Sequence, residues 1–173
     1  MNAVTEVWSA RASAPARSFA DVAPEHLDDV YAYLLYMTGD HATAEDLTGE
    51  TFEKALRRWR RFDPRRASAR TWLCQIARTT ALDHFRAEER RRRREERVAP
   101  PEAIDAPLVD GLSPQLEAAL RKLSAGEREV VALRVVLDLD AESAARILGI
   151  SATACSTRMS RALAKLQKEI GDV

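Results

Sequence analysis

A chain of 173 residues is long enough for one ordinary domain or two small ones. Its 27 basic and 27 acidic side chains cancel to zero formal charge, which argues against a protein that grips nucleic acid unaided, because non-specific affinity comes mainly from neutralised phosphates. The two cysteines, Cys74 and Cys155, have neither CxxC nor Cys/His spacing, which argues against structural zinc or a disulfide framework and suits a reducing cytoplasm. No apolar run has the length of a membrane helix, so no membrane insertion is expected.

Glycines are few and apolar residues recur at helical spacing almost throughout, which makes all-α the expected fold class. Residues 1–18, rich in Ala, Ser and Arg without the apolar core of a secretory signal, read as a disordered tail. Pro100, Pro101, Pro107 and Pro114 punctuate an aperiodic stretch, so a linker is placed at 97–113. That leaves two small helical domains, 19–96 and 114–170. Charge is spread unevenly between them. Residues 90–94 are five consecutive arginines, whereas 98–112 carries acids and no base, a pattern suited to holding DNA together with a larger partner.

In the front module the spacing predicts a helix over 25–38, with Leu27, Val30, Leu34 and Met37 inward, stopped by Gly39. Asp40 can cap a second helix over 41–61. Phe52, Ala55, Leu56 and Trp59 lie on one side of it, and Asp46, Glu50 and Glu53 on the other. Acids early in a helix are favoured by its dipole, and three in one stripe also make a docking surface for a basic partner. A basic loop with Arg65, Arg66 and Arg70 leads into a third helix. There Leu73, Ile76, Ala77, Thr80 and His84 share an inward face, and Trp72, Gln75, Thr79, Asp83, Arg86 and Arg90 line a second one. An aromatic ring beside guanidinium groups suits an unpaired strand, through stacking on a base and contact with the backbone. The plainer alternative makes Trp72 core and the rest solvated surface.

In the back module, helices are expected over 114–123 and 127–137, with Ser124 and Glu127 forming a capping box. A short helix over 141–148, a turn at Gly149, Ile150 and Ser151, and a helix over 151–170 follow. Met159, Leu163, Leu166 and Ile170 form the apolar back of this last helix, and Arg158, Arg161, Lys165 and Lys168 its basic front. This is the pattern of a helix-turn-helix DNA reader, although an ordinary surface helix would share it. Cys155 turns toward the apolar side, as a packed thiol would. Catalysis is not expected: Asp83 and His84 point about 100° apart on their helix, His26 and His41 lack metal-ligand spacing, and no carboxylates cluster as a nuclease would need. No cofactor, metal or small-molecule substrate is implied.

AEDLTGETFEKALRRW (44–59) followed by RTWLCQIARTTALDHFR (70–86) resembles the second conserved region of bacterial sigma factors, and LSAGEREVVALRVV (123–136) with ARILGISATACSTRMSRALAKL (145–166) resembles their fourth. Two motifs in this order, joined by a short linker, resemble the extracytoplasmic-function group. The resemblance implies a cytoplasmic factor that directs core RNA polymerase to promoters. Its first module would bind the β′ clamp helices and melt the −10 element, and its second would read the −35 element while docking on the β flap. Carried over by position, Asp46, Leu47, Glu50 and Glu53 would dock on the clamp. Arg65, Arg66, Arg70, Trp72, Gln75, Ile76, Thr79, Asp83, Arg86 and Arg90 would hold the −10 strand. Thr153, Ala154, Ser156, Thr157, Arg158, Arg161 and Lys165 would meet the −35 duplex. An anti-sigma factor is an implied partner. Gly49, Thr79, Ser143 and Ala154 depart from the usual pattern, which leaves the promoter sequence open. A stand-alone helix-turn-helix regulator would account for 114–170 alone, and a degenerate sigma-like protein would only bind partners.

Overall fold

A computed structural model describes residues 17–95 and 113–171, and every regular element in them is helical. The rest of the expected tail and linker lies outside the described residues. Arg17 and Ser18, assigned to the tail from sequence, are structured: Arg17 is hydrogen-bonded to Glu25, and Ser18 caps α1 (Phe19–Val22) in a reciprocal box with Asp21. Pro24 then opens a 3-10 turn, Ala23–His26, so the helix expected from residue 25 begins later, as α2 (Leu27–Thr38). Gly39, at φ +68°, ends α2 in the left-handed region that glycine enters without penalty.

Asp40 accepts the Thr43 N–H at 2.7 Å and starts α3 (His41–Arg58), which passes into a 3-10 turn, Trp59–Arg61. Ser68 accepts the Thr71 N–H at 3.1 Å and starts α4 (Ala69–Glu95), 27 residues that run through the arginine cluster. The front core joins Val30, Tyr33 and Leu34 of α2, Ala44, Leu47 and Ala55 of α3, and Leu73, Ile76 and Ala77 of α4. Leu27, expected inside, and Leu56, placed on the apolar side of its helix, are exposed. Leu27 has the right phase but stands in the first turn, uncovered. Leu56 follows buried Ala55, and one step along a helix turns it about 100° toward water.

The back module contains α5 (Pro114–Arg121), α6 (Ala125–Val131), α7 (Ala141–Leu148) and α8 (Ala152–Gly171). The capping box at Ser124 and Glu127 forms as expected. A π turn, Ala132–Val136, ends the helix expected to run to 137, and Asp138 follows it at φ +47°. On α8, Cys155 and Ala162 are buried and Met159 and Leu166 pack beside them, whereas Leu163 and Ile170 are 49% and 46% exposed. The inward line is therefore rotated by about 40° from the stripe of large apolar residues. The small residues Cys155 and Ala162 let the helix approach closely. Burial raises the thiols of Cys155 and Cys74, the latter to about 12, so both are packed thiols.

The two modules meet along α4 and α2. Helix α7 lies on α4, and the π turn lies on α2. Arg70 holds Asp29 through two hydrogen bonds of 2.7 Å and donates a third, also 2.7 Å, to the Leu137 carbonyl. Arg78 forms a two-pronged pair with Glu129 at 3.0 and 3.2 Å.

One carboxylate braces the back module. Glu127 accepts the Ser124 N–H at 2.8 Å and pairs with Lys165 of α8 at 2.8 Å. Lys165 and then Ser124 hold its carboxyl down at about 2. Its contribution to stability is complete above the ordinary value of 4.5 and is lost as pH falls toward 2. We expect Glu127→Gln to lose about 1–2 kcal/mol at pH 7. Urea denaturation of both proteins should show this gap at pH 7 and its closure near pH 2; a gap constant with pH would contradict the ionic brace.

Candidate nucleic-acid interface

The acidic stripe of α3 lies on the surface. Asp46, Glu50 and Glu53 are exposed, with Glu50 paired to Lys54 at 2.7 Å and Glu53 to Arg57. Leu47 is a correction: at 4% exposed it belongs to the core, because it falls on the buried line of Ala44, Thr48, Thr51 and Ala55. Gly49 faces water, and a Cβ there would meet nothing within 4 Å. Its glycine therefore weakens α3 with no packing return. Gly49→Ala should stabilise the chain by about 1 kcal/mol in urea denaturation, and destabilisation would show a backbone requirement at this position.

The loop at 62–68 folds on itself, with Asp63 accepting the Arg65 N–H at 2.9 Å and the Arg66 N–H reaching the Asp63 carbonyl at 3.0 Å. Arg65 and Arg66 are left exposed. Behind the loop, Trp72 is half-buried against Phe62 and Trp59, with ring centroids 5.2 and 5.8 Å apart. Trp72 is thus packed on one side and partly accessible on the other. A cleft of about 540 Å³ opens beside it, lined by Arg61, Asp63, Arg66, Ala67, Gln75 and Arg146. The sequence reading missed Arg61 and Arg146. Arg61 stands next to the basic loop, and Arg146 enters from the other module, with no local signal.

Further along α4, Thr79 is exposed and its hydroxyl donates to the Ile76 carbonyl at 2.8 Å. Ile76 itself is buried, so it supports the exposed edge of α4 from beneath and presents no surface of its own. Asp83 and Arg86 pair at 3.2 Å, and Arg90 is exposed. Part of the arginine run is neutralised within the helix: Arg91 pairs with Glu88, and Arg92 and Arg93 share Glu89. Arg93 first, then Arg92, keep the Glu89 carboxyl below its ordinary range.

In the back module, Asp140 caps α7 by accepting both the N–H and the hydroxyl of Ser143 at 2.8 Å. Those bonds lower the Asp140 carboxyl and give Ser143 a structural task. Gly149, at φ +68°, turns the chain, and Ser151 starts α8 by accepting the Ala154 N–H at 3.1 Å. Thr153, Ala154, Ser156, Thr157 and Arg161 are all exposed on the first turns of α8, where a recognition helix meets base edges. Two expected contacts stand differently. Arg158 is half-buried with its guanidinium over Gly126, where a Cβ would come within 3.2 Å of it. Lys165 is held by Glu127, so its first role is to brace α8.

Residues 23–91 match the family model for sigma-70 region 2, and residues 113–166 match that for sigma-70 region 4. The chain is 34% identical over 168 residues to the ECF RNA polymerase sigma factor BldN of Streptomyces coelicolor, an alignment covering 91% of this chain and 62% of that protein. It is 31% identical over 152 residues to the ECF RNA polymerase sigma factor SigX of Bacillus subtilis, covering 82% and 78%. The chain belongs to the extracytoplasmic-function sigma factors. Among solved structures it is similar to the sigma factor RpoE of Bartonella quintana, crystallised with the anti-sigma factor NepR (TM-score 0.74, 26% identity, 88% of this chain and 96% of that one). CnrH, solved with the cytosolic domain of CnrY, has a TM-score of 0.66 at 25% identity, covering 89% of this chain and 88% of that one. Region 2 and region 4 together make a transcription-initiation factor, whose targets are core RNA polymerase and promoter DNA.

Proposed function

We propose a division of labour among named residues. Asp46, Glu50 and Glu53 dock α3 on the basic clamp of core polymerase. The edge of α4, with Trp72, Gln75, Thr79, Arg86 and Arg90 and the loop arginines Arg65 and Arg66, holds the opened −10 strand, and Arg70 joins it once released from Leu137. Helix α8 reads the −35 duplex through Thr153, Ala154, Ser156, Thr157 and Arg161. The observation that carries this reading is one chain with both a half-open aromatic cleft bordered by arginines and an uncovered recognition helix. The cleft suits an unpaired base, worth roughly 1–3 kcal/mol of stacking and contact, which offsets the few kcal/mol needed to unstack it. The helix suits a duplex.

On this reading the protein performs no chemistry of its own and works in the cytoplasm, where the polymerase is. Among the described residues no helix is long and apolar enough to cross a membrane, and no three metal-ligating side chains cluster. The likeness to RpoE, crystallised with the anti-sigma factor NepR, supports an anti-sigma factor as a further partner.

Run-off transcription with purified core polymerase tests the whole reading: specific transcripts should appear with the protein and not without it. If the protein alone protected a duplex promoter as tightly as the complex does, a stand-alone regulator would be the better description. Trp72→Ala should slow strand opening tenfold or more, read by permanganate footprinting, and leave core affinity unchanged; lost core binding would make Trp72 packing only. Asp46→Arg should weaken core affinity about tenfold in a pull-down titration without changing the melting temperature, and unchanged affinity would remove Asp46 from the docking surface.

A further inference from the structure

We propose that Gly126 is a positioning residue for promoter binding: its missing side chain seats Arg158 on the flank of α8, where the guanidinium clamps the DNA backbone and does not read a base. The proposal rests on the reading of α8 as the duplex reader. Arg158 stands three residues after buried Cys155 and four before buried Ala162, about 40–60° of helix turn from the buried line. That places it on the flank toward α6, from which Lys165 also reaches across to Glu127. Its guanidinium lies over Gly126, and a Cβ at that residue would stand 3.2 Å from Nη1 and 3.5 Å from Cζ.

The seat weakens the helix that provides it. Gly126 is the second residue of a seven-residue helix, and glycine is among the poorest helix formers. Gly49 weakens α3 in the same way with nothing within 4 Å, whereas at Gly126 the space a side chain would take is filled by Arg158.

The seated charge is held in place but not neutralised. Among the described residues no hydrogen bond or ion pair engages the Arg158 guanidinium, and the adjoining carboxylate of Glu127 is taken by Lys165 and Ser124. A cleft of about 490 Å³ opens beside it between the starts of α6 and α8, with Thr153, Thr157 and Arg161 on its walls. A side chain folded back on α6 does not reach the floor of a major groove. The flanks of a recognition helix face the groove walls, where the phosphates run. Packing on Gly126 also orders the arginine before DNA arrives, so less freedom is lost on binding.

The affinity of reconstituted holoenzyme for a duplex it has selected from a pool randomised at both promoter elements tests this. Arg158→Ala should weaken binding about tenfold, lower the slope of log affinity against log salt by about one, and select the same −35 sequence from the pool. Arg158→Lys, which keeps the charge, should keep the slope. Gly126→Leu should weaken binding about fivefold without lowering the melting temperature, and should add nothing in the Arg158→Ala background.

A −35 sequence altered by Arg158→Ala would make Arg158 a base reader and overturn the clamp. No loss in Gly126→Leu, or the same loss with and without Arg158, would overturn the positioning role. If Gly126→Leu melted early, Gly126→Ala would decide in its place: a loss of about twofold that needs Arg158 supports the seat, and unchanged affinity overturns it. Arg161→Ala keeps the clamp and the reader apart. A loss in that variant but not in Arg158→Ala would overturn the clamp and leave α8 as the reader, and no loss in either would overturn both.

Discussion

A helix packed on two sides keeps only a strip for water, and the first half of α4, residues 69–81, is such a stretch. Thr71, Leu73, Cys74, Ile76, Ala77, Thr80 and Ala81 are all buried, which covers more than half of its circumference. Most of these side chains are small, and that lets neighbouring helices come close on both sides. The strip left over carries Gln75 and Thr79, and beyond Ala81, where the helix stands largely in water, Asp83 and the arginines follow. Placement of the loop cleft, the aromatic cluster and the seam with the back module all depend on this double burial. A larger residue at Cys74 or Ala77 would push outward against elements that cannot give way independently.

Features written in local chemistry are legible in the amino-acid sequence alone. Gly39 and Gly149 as stops, Asp40 as a cap, and the Ser124 and Glu127 box are each specified within four residues, so their geometry follows from the residues themselves. The phase of α8 is not legible in that way. Hydropathy weights Leu163 and Ile170 above Cys155 and Ala162, yet close helix packing selects the small pair. Leu47 misleads for a related reason: its motif neighbours Asp46 and Glu50 face water while the leucine between them turns inward.

The seam leaves no trace in the sequence for a different reason. Arg78 and Glu129 are 51 residues apart, and Arg66 and Arg146 are 80 apart. Nothing local distinguishes them from the many other charged side chains, and formal neutrality conceals how they are used. Much of the positive charge is tied to carboxylates, along the arginine run as well as across the seam. The field felt by DNA at a distance is correspondingly modest, which suits a factor delivered to promoters by a larger assembly.

The brace at Glu127 has a mechanical side. The same carboxylate closes the first turn of α6 and grips Lys165 midway along α8, while Arg158 lies over Gly126 one residue earlier. Tilting α8 alone would break both contacts, so they tie the two helices to each other. If α8 is the duplex reader, a pair tied in this way would not flex to suit a promoter whose two elements are spaced unusually. On the proposed reading, tolerance of promoter spacing would come from the joint between the modules, and base preference from the exposed first turns of α8.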